Sequence, residues 1–156
     1  MFRLLDISWL YYAIAVLIGA VVWKAWRWEG GLLAGYMFLV LVETVLIRKP
    51  FSGQHFQPRL FWSWRVWNEQ KTQVLTNIIM FIPVGLLTGL IWRWKGLLVT
   101  VGLSMGIEVL QLISQRGLCE FDDVIHNTVG AAICVGIVMI IKMMLGALDE
   151  NNRENR

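Results

Sequence analysis

Charged side chains are scarce in this sequence. Asp, Glu, Lys and Arg together make up 16% of the chain, against roughly 25% in a soluble domain. With 57% of the residues hydrophobic and a mean hydropathy of +0.60, the deficit points to a membrane before any motif is read. Long basic runs are missing too, and the formal charge is only +3, so there is no footprint for nucleic acid. Cysteine is limited to Cys119 and Cys134, the second inside an apolar run, and no disulfide between them is expected. The first residues lack a basic n-region followed by a small-residue cleavage site, which makes the first apolar run a retained anchor. There is no HExxH, no metal-binding cysteine pair and no nucleophile motif, so neither metal nor cofactor is expected.

What the chain does have is long apolar runs. A helix needs roughly 17–25 mostly apolar residues to cross the hydrocarbon. Five runs qualify, at 7–23, 31–47, 74–92, 96–115 and 124–141, and only Glu43 and Glu108 are charged within them. The expected fold is an all-α, polytopic membrane helical bundle of about five transmembrane helices. It would form one domain over residues 1–148, followed by a polar tail at 149–156. The tryptophans support these boundaries. Trp9, Trp23, Trp26, Trp28, Trp62, Trp64, Trp67, Trp92 and Trp94 all stand at or outside run ends, where an indole satisfies both its ring and its N–H in the headgroup layer.

The loops alternate between two sides. Side A holds the N-terminus, segment 48–73 and segment 116–123; side B holds 24–30, 93–95 and the C-terminal tail. The basic residues divide seven to seven. Arg3, Arg48, Lys49, Arg59, Arg65, Lys71 and Arg116 fall on A, and Lys24, Arg27, Arg93, Lys95, Lys142, Arg153 and Arg156 on B. The side-B loops are tight and place their charges against span ends, where such charges count most. The expected topology is therefore N-terminus out and C-terminus in, with side B in the cytoplasm. Segment 48–73, with Pro50, Gly53, Pro58 and the run "RLFWSWRVW", suits an amphipathic or interfacial element between the second and third spans; a loose loop anchored by its tryptophans is the plainer reading.

The polar residues of the spans follow a pattern. Ser104, Glu108, Gln111 and Gln115 share one helical stripe, and Asp123, Asn127 and Gly130 share another, with Asp122 and His126 beside it. Asn77 and Glu43 lie near the side-A ends of their spans. A charge at the bilayer centre costs about 2.5–3.5 kcal/mol, so such groups turn inward and pair. The geometry implied is a polar cleft opening to side A, with Arg48, Arg59, Arg65 or Arg116 as counter-ions. Its ligand-binding set would be those four arginines with Asn77, Glu108, Gln111, Asp122, Asp123 and Asn127. The plainer reading is a polar cluster that holds the bundle together, at about 0.6 kcal/mol per interhelical hydrogen bond. Three GxxxG pairs, Gly31/Gly35, Gly85/Gly89 and Gly102/Gly106, allow backbones to approach, inside one chain or across a homodimer. Pro83 is expected to kink the third span.

Residues 48–136 resemble the VanZ family. The resemblance rests on "NIIMFIPVGLL" (Asn77, Phe81, Pro83, Gly85), on "GIEVLQLISQRG" (Glu108, Gln111, Arg116) and on "FDDVIHNTVGA" (Asp123, Asn127, Thr128, Gly130), with Arg48 closing the second span. Cys119 and Glu120 stand where the family often has an aromatic and an aspartate, and His126 stands at a usually apolar position; no catalytic role is carried onto it. The resemblance implies a small bacterial envelope protein connected with resistance to teicoplanin, a lipid-tailed glycopeptide. Three functions follow. One is a binding module whose cleft takes a lipid-linked cell-wall precursor, a lipoglycopeptide or another amphiphilic headgroup. Another is an intramembrane enzyme with Glu108 and Asp123 as acid/base pair, or, with Asp122 and His126, as metal ligands. The third is a helix-packing partner of an envelope enzyme.

Overall fold

The computed structural model describes residues 8–50 and 52–154, and of 149–154 the backbone alone. Ile7, where the first span was expected to start, and Arg3 and Arg156 of the charge count lie outside the described residues, as does the side chain of Arg153. Among the described residues the chain is all-α apart from one two-residue strand pair. Helix α1 is Trp9–Ala25, α2 is Trp28–Leu41, α3 is the single turn Trp62–Arg65, α4 is Trp67–Trp92, α5 is Lys95–Ser114 and α6 is Phe121–Glu154. Helix α2 continues as one π-turn over Val42–Leu46. Four of these segments are long and apolar enough to cross a membrane: Trp28–Leu46, Trp67–Trp92, Lys95–Ser114 and Phe121–Leu148. The apolar helix α1 is shorter, at 17 residues.

Two boundaries move outward. Helix α4 starts at Trp67, seven residues before the expected span, so the polar turn "WNEQKTQ" belongs to it and stands above the apolar part. Helix α6 runs on through Glu154, so the start of the polar tail is helical. Helix α4 passes through Pro83 as one element. Tryptophans open α1, α2, α3 and α4 and close α4, as interfacial indoles should.

In lipid, helices associate through close packing and hydrogen bonds, since the tails are as apolar as leucine. Glycines provide that packing at two crossings. A Cβ on Gly31 would lie 2.5 Å from the Gly19 carbonyl oxygen, and one on Gly35 2.7 Å from that of Ala15, which seats α2 on α1. A Cβ on Gly85 would meet the backbone of Ala131, and one on Gly130 the Ile78 carbonyl, so α4 and α6 touch backbone to backbone. The third pair differs: nothing lies within 4 Å of a Cβ on Gly102 or Gly106. Phe81 and Val84 of α4 pack with Leu33 and Val40 of α2 and Ile107 of α5 in the apolar core.

Strand β1 (Phe56–Gln57) pairs in parallel with β2 (Cys119–Glu120), Phe56 opposite Cys119 and Gln57 opposite Glu120. The two long loops therefore meet at one end of the bundle, the side-A end of the sequence reading. Segment 52–66 folds back onto the start of α6, where Phe61 and Ser63 meet Asp122, and the tight turns at 26–27 and 93–94 lie at the opposite end with the C-terminal part of α6. There, Lys142 donates to the Leu90 carbonyl oxygen at 3.1 Å and caps α4.

Candidate functional site

The α6 motif begins as α6 leaves β2. Asp122 is 1% exposed and accepts three hydrogen bonds from the folded-back segment: from Phe61 N at 2.6 Å, Ser63 N at 3.0 Å and Ser63 Oγ at 2.6 Å. Phe61 is held at φ 59°, a left-handed conformation costly for a residue with a Cβ, and the carboxylate fixes it there. Asp122 thus acts as the anchor of α3, with both oxygens engaged. Asp123, one residue on, points elsewhere. The amide of Gln73 donates to both its oxygens at 3.2 Å, and His126 Nδ1 approaches Oδ1 at 3.9 Å. Asn127 Nδ2 donates to Ser104 Oγ at 2.7 Å, tying α6 to α5.

The α5 stripe faces inward as far as Gln111. Ser104, Glu108 and Gln111 are all buried, whereas Gln115 is exposed and left-handed at the helix end. Glu108 accepts the backbone N–H of Glu120 at 2.8 Å, so the strand pair closes directly over it. Gln111 donates to the Thr44 carbonyl at 3.2 Å and Arg116 to the Leu46 carbonyl at 2.6 Å. Both receivers lie in the π-turn that ends α2, where last-turn carbonyls lack helical partners. Two residues of the sequence motif therefore cap a neighbouring helix. Arg116, expected as a counter-ion at the cleft mouth, donates from Nη1 to that carbonyl.

Glu120 is the residue the sequence reading passed over. It is 3% exposed and accepts the indole N–H of Trp62 at 3.1 Å. Burial first, and then the charge of Asp123, raise its carboxyl from 4.5 to about 7, while the Trp62 and Gln73 donors pull the other way. Burial and the neighbouring acids Glu108, Glu120 and Asp123 also push the Cys119 thiol up. Glu108, Glu120, Asp122 and Asp123 form one buried acidic layer. Among the described residues no Lys or Arg reaches any of them within 4.0 Å; Arg48 is the cation in electrostatic reach of Glu108.

Two cavities flank this layer. A polar one of about 270 Å³ lies between the end of α2 and the start of α4, lined by Glu43, Thr44, Arg48, Glu69, Gln70, Thr72, Gln73, Thr76, Asn77 and Met80. Its back wall, Gln73, is the residue that holds Asp123. An apolar one of about 320 Å³ lies between α5 and α6, with Glu108 and Glu120 as its acidic wall residues. Of the expected arginines, Arg48 lines the polar cavity, while Arg59 and Arg65 are exposed on the folded-back segment and line neither. Asn77 Nδ2, Gln111 Oε1, Asn127 Oδ1 and both ring nitrogens of His126 are buried without a hydrogen-bond partner.

Gln73 had a sequence signal: it stands four residues before Asn77, on the same face, but was assigned to the loop. Glu120 had only the resemblance behind it, which often places an aspartate there, and it is the strand pair that carries it inward. Asp122 and His126, weighed as a metal pair at i, i+4, point to different partners. Among the described residues, no three His, Cys, Asp or Glu side chains come together in a metal-holding arrangement.

Apolar helices of spanning length packed around a buried polar layer define a helical membrane bundle. The VanZ/LLP1 family model matches residues 9–142, and the chain belongs to that family. The match includes α1 and α2, well before the motifs at 48–136 that carried the resemblance. Comparison with curated proteins and with solved structures finds no match.

Proposed function

We propose that this protein binds the polar head of a lipid-linked or amphiphilic envelope molecule, and that it protects a bacterium against lipid-tailed glycopeptides of the teicoplanin type. The observation that carries the reading is the pair of cavities, one polar and one apolar, on either side of one buried acidic layer. Buried ionisable groups at membrane depth are functional sites by default, because glue of that kind is costly. The polar cavity mixes Arg48 with Glu43, Glu69, Asn77 and Gln73. Such a wall suits a headgroup carrying hydroxyls and an anionic group, since arginine holds phosphate or carboxylate and carboxylates accept from hydroxyls.

The test is a set of susceptibility titrations in a susceptible Gram-positive host, with a tailed and a tail-less drug. Production of the protein is expected to raise tolerance to the tailed drug more than to the other. Glu108→Gln and Asp123→Asn keep the protein in the membrane and abolish the effect; Arg48→Ala weakens it. Equal protection against both drugs points to a general change in the wall, and full activity of both charge swaps reduces the acidic layer to packing. The 3.9 Å approach of His126 to Asp123 favours a second reading, an intramembrane enzyme with Glu108 and Asp123 as acid and base. Turnover of a lipid-linked glycan by the purified protein is the outcome that separates it from binding alone.

A further inference from the structure

The polar cavity between the end of α2 and the start of α4 is graded along its length. Helix α4 lines it with one face, from Glu69 through Gln73 and Asn77 to Met80, residues three or four apart as a helical face requires. At 1.5 Å per residue that face is about 16 Å long. Glu69 and Arg48, both exposed, stand at the loop end. The amides of Gln73 and Asn77 follow, and the Met80 side chain comes last. Charge at the mouth and neutral polar groups further in describe a seat for a polar head, entered from the loop end.

Two observations say what that head carries. Asn77 lines the cavity, is 8% exposed, and its Nδ2 has no hydrogen-bond partner. Its neighbours in the wall are used: Gln73 donates to Asp123, and Thr44 to the Val40 carbonyl. A buried donor left unused is costly, so this one marks the place of an acceptor brought from outside. The other observation is a pair of opposite charges that do not meet. Arg48 and Glu69 line the same cavity, yet among the described residues neither forms an ion pair of 4.0 Å or less. Arg48 is also within electrostatic reach of Glu108 on α5, which fits a guanidinium directed inward from the rim. With Glu43 in the wall, the lining holds two carboxylates and one guanidinium, which disfavours a head bearing negative charge alone. We propose that the α2/α4 cavity seats a zwitterionic head, an aminoalkyl phosphodiester, with its phosphate on Arg48 and Asn77 Nδ2 and its ammonium on Glu69. A tetrahedral phosphate presents oxygens to the rim and to the inner wall at once, which a flat carboxylate does not, and the diester carries a single negative charge. This rests on the reading of the protein as one that binds an amphiphile's head, and it names the chemical class of that head. A phospholipid and a soluble glycerophosphodiester share this chemistry.

The full chain is purified in dodecyl maltoside, and Kd values are taken from the rise in melting temperature with added ligand, followed by tryptophan fluorescence. The probes are dihexanoylphosphatidylethanolamine, dihexanoylphosphatidylglycerol and the chain-free sn-glycero-3-phosphoethanolamine. The ethanolamine lipid is expected to bind about fivefold more tightly than the glycerol lipid, the preference that a partly exposed ion pair provides, and the chain-free head to bind weakest. Glu69→Gln brings the two lipids to equal affinity. Asn77→Leu weakens both about tenfold, while its melting temperature without ligand holds or rises, because an unused buried amide has been removed. Arg48→Gln weakens both lipids as well. Equal binding of the two lipids by the unaltered chain overturns the ammonium position and leaves amphiphile binding standing. An Asn77→Leu variant that melts lower and binds as before overturns the phosphate position, since the amide is then structural. Binding of the chain-free head as tight as that of its lipid keeps the zwitterion and overturns the amphiphile reading beneath it. Absence of binding by all three probes overturns the zwitterion site, and the drug titrations then decide the amphiphile reading separately.

Discussion

Glu120 and Asp122 lie two residues apart, on either side of the strand-to-helix junction, and their surroundings differ. Asp122 has three donors from the folded-back segment. Glu120 has one indole N–H at hydrogen-bonding distance and the charges of Asp123 and Asp122 beside it. In the folded protein its carboxyl titrates at about 7 rather than 4.5. The native state then keeps the Glu120 proton at pH values where the unfolded chain has released it. Stability from this group is complete below about 4.5 and is lost as pH rises to about 7. Glu120→Gln is expected to abolish that decline. Melting temperatures in nanodiscs at about pH 5 and about pH 8 would bracket the window. A wild-type decline that persists unchanged in the variant would assign the titration to another group.

Helix pairing depends on where glycine replaces a side chain. At the α4/α6 crossing, Gly130 faces the Ile78 carbonyl and Gly85 the Ala131 backbone. A branched side chain at either position must push the helices apart, at a cost of about 1–3 kcal/mol for overpacking. Gly130→Val is therefore expected to lower the melting temperature and to loosen the acidic layer one turn above, since Asn127 and Asp123 ride on the same helix. Gly102→Ala, where space is open, leaves the fold unchanged or slightly improves it, because alanine is the better helix former by about 1 kcal/mol. A melting comparison of the two variants decides it; equal effects would mean that the crossing is not as close as the backbones place it. The same logic explains the motif on α5. Gln111 and Arg116 reach the carbonyls of Thr44 and Leu46 because the π-turn ending α2 leaves them available.

Across the whole molecule, both long loops lie at one end and both tight turns at the other, so the polar half is also the half with the exposed segment. The basic, tight side-B turns predict that this polar end faces outward. A cytoplasm-active reporter fused at the C-terminus should work, and one inserted after Gly53 should fail. The reverse result would invert the molecule in the membrane and place the acidic layer on the cytoplasmic side, with its internal geometry intact. Trp64 and Trp67 stack at 5.4 Å over the start of α4, with His126 6.3 Å from the Trp64 ring. That cluster holds the folded-back segment against α4 and α6.

The sequence alone determined the class. Runs of spanning length, indoles at their ends and polar residues gathered mostly in one half follow from the bilayer acting as a uniform solvent, which each segment must satisfy by itself. Glu108, Asp123 and Asn127 were legible as inward-facing for the same reason, since a helical stripe is local. The folded structure decided what those residues touch. Only the pairing of β1 with β2 brings Glu120 over Glu108, only the return of segment 52–66 places Ser63 and Phe61 on Asp122, and only the approach of α5 to the π-turn brings Arg116 to the Leu46 carbonyl. These are contacts between segments separated by tens of residues, and no local periodicity encodes them. They depend on which helices pack closely enough, through Gly35, Gly85 and Gly130, for distant loops to meet at one end.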